Sequence, residues 1–118
     1  MTLPPQHLIA ANVAMALAED IGDGDWTAQL IPSASTGRAK IVLREAAVIC
    51  GQAWFNEVFR QVDADVQLSW KVSEGEYVAA DTVICELAGN ARSLLSAERS
   101  ALNFLQTLSA GASETRRY

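Results

Sequence analysis

Arg99 stands in the run Ala97 Glu98 Arg99 Ser100 Ala101 Leu102 Asn103 Phe104 Leu105 Gln106, inside a predicted helix near the C-terminal end of the chain. At 100° per residue, Ser96, Arg99, Asn103, Gln106 and Ser113 fall on one face of that helix. This stripe combines one cation with uncharged hydrogen-bonding groups, where a solvated face ordinarily carries Lys and Glu pairs. It suits a polar ligand. A guanidinium offers parallel donors that match a carboxylate or a phosphate and stays charged when partly desolvated, whereas lysine supplies charge without the fork. By residue type alone, Arg99 also reads as a surface arginine paired with a nearby acid, and Asn103 and Gln106 as capping, packing or subunit-contact residues. Composition and periodicity leave that choice open. Glu98 is expected to be an ion-pair partner rather than an acid catalyst.

The other reactive side chains fit structural roles. Cys50 and Cys85 sit singly in apolar stretches without CxxC spacing, as buried reduced thiols do. His7 is a lone residue on an exposed helix. The acidic turn 19–25 fails an EF-hand count, because the sixth position from Asp23 is Ala28 where the loop needs glycine. Gly22 and Gly24 are expected to permit positive φ, and Asp25 to cap the following turn. No catalytic residue and no metal ligand is assigned. Glu74 Gly75 Glu76 Tyr77 Val78 followed by 83–87 resembles the turn of biotinyl and lipoyl carriers, but the chain's lysines, Lys40 and Lys71, lie outside any modification motif.

These residues need elements to hold them. After Pro4 and Pro5, the spacing of Ile9, Val13, Ala16 and Leu17 predicts an amphipathic helix ending near Asp20. Residues 41–44 and 46–50 read as β-branched strands, and Gly51 precedes a helix with Trp54, Phe55, Val58, Phe59 and Val62 on one face. Trp54, Phe59 and Trp70 are core by spacing. Alternation at Val66, Leu68, Trp70 and Val72 predicts a half-buried strand that turns at Glu74 and Gly75 and returns at Tyr77 and Val78. A last strand, 82–87, leads to Gly89 and to Asn90 as N-cap of the helix 91–118, whose apolar stripe is Leu94, Ala97, Ala101, Phe104, Leu105, Leu108 and Ala112. That order predicts an α+β domain with a mostly antiparallel sheet.

The chain has 118 residues, half of them hydrophobic, which suits one globular domain. A net charge of -5 and no cluster of Lys or Arg before Arg116 and Arg117 argue against nucleic acid or an anionic membrane as partner. With no leader pattern and no membrane-spanning stretch, a soluble cytoplasmic protein is expected.

Glu19 Asp20 Ile21 Gly22 Asp23 Gly24 Asp25 Trp26 Thr27 resembles the E-D-x-G-x-G-D-x-T signature near the start of the quinolinate phosphoribosyltransferases. Gly51 with Trp54 and Phe59, then Trp70 with Gly75 and Val78, then Leu94 Leu95 Ser96 Ala97 Glu98 Arg99 through Asn103 Phe104 Leu105 Gln106 and Leu108 Ser109, follow in matching order. One departure is Ser109 Ala110 Gly111 Ala112 Ser113, where the family has Ser-Gly-Ile-Ala-Thr.

The resemblance implies that residues 1–118 are the family's amino-terminal α/β domain, of the barrel-hammerhead or sandwich-like kind, with 91–118 leading toward a carboxy-terminal α/β barrel that this chain lacks. It implies an enzyme that joins quinolinate to phosphoribosyl pyrophosphate, releasing pyrophosphate and carbon dioxide and yielding nicotinate mononucleotide for NAD synthesis. Magnesium accompanies the pyrophosphate in the full enzyme, and a homodimer is expected. By motif, Arg99 reaches into the neighbouring subunit's site and contacts a quinolinate carboxylate, with Asn103 and Gln106 as weaker candidates. The 118-residue chain alone is expected to be inactive. The alternatives are a non-catalytic dimerisation or regulatory module, and the related molybdenum-transport-associated homologue.

Overall fold

The computed structural model describes residues 4–21 and 35–116, with side chains described for residues 4–19 and 35–110. Along the chain come α1 (Gln6–Ile21), β1 (Thr36–Val42), β2 (Ala47–Val48), α2 (Gln52–Val62), β3 (Gln67–Trp70), β4 (Tyr77–Val78), β5 (Val83–Asn90) and α3 (Ala91–Arg116). The α+β expectation holds, and the described strand pairings are antiparallel: β5 lies between β1 and β3, and β2 pairs with β4.

β5 is central because its sequence can be buried on both faces. Ile84 and Cys85 are neighbours whose side chains point to opposite faces of the sheet, and both are fully buried. Helix α2 packs against α1 and α3, and α3 also lies against β1, β2 and β5. The core between them joins Ile9 and Val13 of α1, Phe55, Val58 and Phe59 of α2, Ile84 and Leu87 of β5, and Leu94, Ala97, Ala101 and Leu105 of α3. Phe55 meets Trp70 edge-on with ring centroids 5.0 Å apart and stands 5.2 Å from Phe59. Trp54 and Trp70 are only partly buried at the margin of this core. Trp70 keeps its indole N–H on Asn56 Oδ1 at 2.7 Å, which explains why it sits at the edge.

Strand boundaries differ from the sequence expectation, with β2 covering only Ala47–Val48 of the expected 46–50 and β3 only Gln67–Trp70. β1 begins at Thr36 and ends at Val42 instead of covering 41–44, because its first half alternates small or half-buried residues with exposed Arg38 and Lys40 and carries no apolar signal. β5 runs through Gly89 and Asn90, which read as punctuation in the sequence. Gly89 adopts φ 157°, and a Cβ there would stand 3.2 Å from the Val66 backbone, so the glycine lets β5 continue past that close approach. The acidic turn 22–25, with its expected glycine and aspartate roles, lies outside the described residues.

Gly51 turns the chain from β2 into α2 with φ 100°, and a Cβ there would fall 2.8 Å from Leu108 Cδ1 of α3. Gly51→Ala should therefore destabilise the domain by about 2 kcal/mol, combining left-handed strain with overpacking, as a lowered urea midpoint would show.

Candidate functional site

Helix α3 carries the predicted site residues, and its sequence fixes how it lies. Leu94, Ala97, Ala101 and Leu105 are buried, Phe104 and Leu108 are half-buried, and Ala112 lies outside the described side chains. The N-terminal end is pinned by polar contacts. Asn90 is at once the last residue of β5 and the cap of α3, its Oδ1 accepting the Ser93 backbone N–H at 3.1 Å. The Ser93 hydroxyl donates to Asp63 Oδ2 at 2.7 Å, tying the helix start to the end of α2. That hydrogen bond, together with the Asp65 backbone N–H, holds the Asp63 carboxyl below its ordinary pKa.

The far end is pinned too. Ser109 is buried on the apolar stripe, where its Oγ accepts the Cys50 backbone N–H at 2.9 Å and donates to the Cys50 carbonyl at 3.0 Å. Glu74, from the turn between β3 and β4, accepts the N–H groups of Gly51 at 3.0 Å and Gln52 at 3.2 Å. A carboxylate thus caps α2 from outside its own sequence, where the helix dipole favours negative charge. Cys50 and Cys85 are buried free thiols, as the sequence predicts. Burial raises the Cys50 pKa, with the Glu74 charge adding to it, and pushes the Cys85 thiol up to about 11.

Arg99, Asn103 and Gln106 are all exposed on the outer side of α3. Arg99 makes no hydrogen bond or ion pair with another described residue, so its guanidinium is not neutralised within that part of the fold. Gln106 differs from the other two in lining an open cleft of about 680 Å³ between α3 and the strand β1, together with Lys40, Arg44, Glu45, Glu98 and Leu102. Arg99 and Asn103 lie outside that lining. Glu98 is half-buried at the cleft wall and forms no ion pair with a described residue. Its position on the cleft flank of the helix keeps it apart from the arginine face. Ser96 is half-buried beside Arg99, and Ser113 lies outside the described side chains.

Sequence reasoning missed the buried polar residues Glu57, Ser100 and Ser109. Glu57, only 2% exposed, accepts from Gln6 Nε2 at 2.9 Å, Gln61 Nε2 at 2.7 Å and Arg60 Nε at 2.7 Å. The Arg60 hydrogen bond is the largest influence lowering its pKa. Gln61 also donates to the Ala10 carbonyl, so this knot joins α1 to α2. The available signal was Arg60 and Gln61 following Glu57 at one-turn spacing. Ser109 was another, a hydroxyl one turn beyond Leu105, and Ser100 of the same helix is likewise buried. Glu57 and Ser109 are structural, and Arg99 remains as an exposed cation on α3 with no partner among the described residues.

Among the described residues no three His, Cys, Asp or Glu side chains come together as a metal site. No helix among them is long and apolar enough to cross a membrane.

The model of the quinolinate phosphoribosyl transferase N-terminal domain matches residues 25–109. The chain is 40% identical over 116 residues to the probable carboxylating nicotinate-nucleotide pyrophosphorylase of Synechocystis, covering 98% of this chain and 39% of that protein. It is 40% identical over 98 residues to the corresponding Bacillus subtilis protein, covering 83% of this chain and 34% of that one. Among solved structures, the nicotinate-nucleotide pyrophosphorylase of Francisella tularensis superposes with a TM-score of 0.85 at 42% identity, covering 88% of this chain and 37% of that chain. The enzyme of that name from Ehrlichia chaffeensis gives 0.83 at 32% identity, covering 98% and 41%. The chain thus spans well under half the length of the relatives it matches. A family match over most of the chain, carried by the same α+β architecture, places it in the quinolinate phosphoribosyl transferase N-terminal domain family.

Proposed function

We propose that residues 1–118 form the amino-terminal domain of an enzyme that transfers the phosphoribosyl group of phosphoribosyl pyrophosphate to quinolinate, and that Arg99 is donated to the active site of a neighbouring subunit in a cytoplasmic homodimer. The observation that carries this reading is an exposed arginine, unpartnered among the described residues, on a helix whose other face is buried and whose ends are pinned. Relatives named as quinolinate phosphoribosyltransferases, such as that of Nicotiana glauca, support the choice of substrate. The helix would lead from here toward the barrel domain.

Quinolinate carries two adjacent carboxylates, and a protein of net charge -5 needs local fixed cations to hold it. A bidentate guanidinium fixes the orientation of the ring as well as its position. With the ring held, its nitrogen faces the ribose carbon; the N–C bond forms as the bond to pyrophosphate breaks. The ring nitrogen then carries positive charge, which stabilises the electron pair left on the adjacent carbon when carbon dioxide departs. A proton completes nicotinate mononucleotide. Magnesium, entering with phosphoribosyl pyrophosphate, would neutralise its phosphates. Arg99 only binds and orients; the groups that meet the pyrophosphate belong to the barrel.

The test is pyrophosphate and carbon dioxide release from the two substrates. The enzyme that includes this segment and its barrel should release both in equal amounts only when quinolinate is present, while the 118-residue chain should release neither. Turnover by the isolated chain, or a full-length enzyme indifferent to quinolinate, would overturn the assignment.

A further inference from the structure

We propose that Ser109 is a positioning residue for Arg99, acting through the lie of α3; this rests on the reading of Arg99 as the quinolinate clamp. Arg99 sits between the two polar anchors of its helix. Ser93, bonded to Asp63, lies six residues before it, roughly 9 Å along the axis, and Ser109 ten residues after it, roughly 15 Å. Each anchor ties α3 to α2 or its approach: the first to Asp63 at the end of α2, the second to Cys50 just before its start. Two separated ties, with Leu94, Ala97, Ala101 and Leu105 buried between them, hold both the direction of α3 and its roll about its axis. One anchor leaves a pivot.

The second anchor is specific to a hydroxyl. Cys50 is 8% exposed, and one Oγ satisfies both its N–H and its carbonyl, accepting from the first and donating to the second. An apolar replacement would leave two buried backbone groups unpaired, a cost that is relieved if this part of α3 lifts and water enters. Gly51 allows this seat to be close, since its missing side chain is where Leu108 packs. A lift there tilts the helix about its Ser93 anchor and displaces Arg99. A bidentate contact aligned to a rigid aromatic acid tolerates little displacement, and errors near 1 Å can cost about a hundredfold.

Steady-state kinetics on the full-length enzyme decide this. Ser109→Ala should raise KM for quinolinate about tenfold, leave KM for phosphoribosyl pyrophosphate within about twofold, and add nothing further when Arg99→Ala is already present. Ser109→Thr, which keeps the hydroxyl, should restore most of the loss. If Ser109→Ala fails to fold, Ser109→Cys, nearly isosteric with a weaker donor, gives the same comparison. Equal effects of the Ser109 variant with and without Arg99, an equal rise in both KM values, or no rise at all would overturn the positioning role. An unchanged quinolinate KM in Arg99→Ala alone would instead remove the clamp itself.

Discussion

Arg99→Ala in the full-length enzyme should weaken quinolinate binding roughly a hundredfold while leaving phosphoribosyl pyrophosphate affinity nearly unchanged. Truncating one partner of a desolvated charge pair costs on the order of 2–5 kcal/mol, and the lower half of that range is appropriate because other cations would still hold the second carboxylate. Little of this loss should come from folding. Arg99 is exposed and makes no bond to a described residue, so the variant should unfold at the wild-type temperature within a degree or two. Arg99→Lys should recover only part of the affinity, since it returns the charge without the fork. Calorimetric titration with quinolinate, with dimerisation checked in each variant, measures all three; wild-type affinity in Arg99→Ala would make the arginine structural.

The largest effect on stability should come from Glu57→Ala, about 3 kcal/mol, because a nearly inaccessible carboxylate and its three donors are disconnected at once. The loss should appear first where the knot does its joining: amide exchange in α1 should accelerate roughly a hundredfold, ahead of α3. Glu57→Gln keeps the shape but turns an amide N–H₂ toward donors, so it should recover only part of the loss. Acid pH gives a second signature. Its folded pKa is depressed, chiefly by Arg60, below the ordinary 4.5. The carboxylate therefore contributes its full stability above about 4.5, and that contribution fades as pH falls through the lower folded value. Asp63 shifts in the same direction through Ser93. In Glu57→Gln the acid limb of the stability profile should flatten by the Glu57 share. Unaltered α1 exchange in Glu57→Ala would show that packing by Ile9 and Val13 alone holds the helix.

What could be read from sequence depended on whether the determining contact was local. Ile9 with Val13, Phe55 with Phe59, and Leu94 with Ala101 and Leu105 announce three helices because one-turn spacing is visible in the chain itself. The alternation at Leu68 and Trp70 announces β3 in the same way. β1 begins unannounced, since Gly37 and Ala39 give only small residues to its inner positions, where Gly37 lies against Ala91 and Leu94. Asn90 is correctly a cap and incorrectly outside the strand, because one residue serves both elements. The anchors escaped because their partners are remote in sequence: Ser109 with Cys50, Glu74 with Gly51, Glu57 with Gln6. Arg99 was legible as a polar-face cation, yet its role depends on a ligand that no periodicity encodes.

The central place of β5 bears on the order in which the domain can be made. Thr36 pairs with Asn90 and Gln67 with Ala88, so both outer strands wait for a partner that leaves the ribosome last of the three. Until then β1 and β3 present open backbone on both edges to other nascent chains, and one edge of each is covered when β5 slots between them. The exposed Arg38, Lys40 and Lys71 lie on or beside those strands, where like charges disfavour edge-to-edge pairing of two copies.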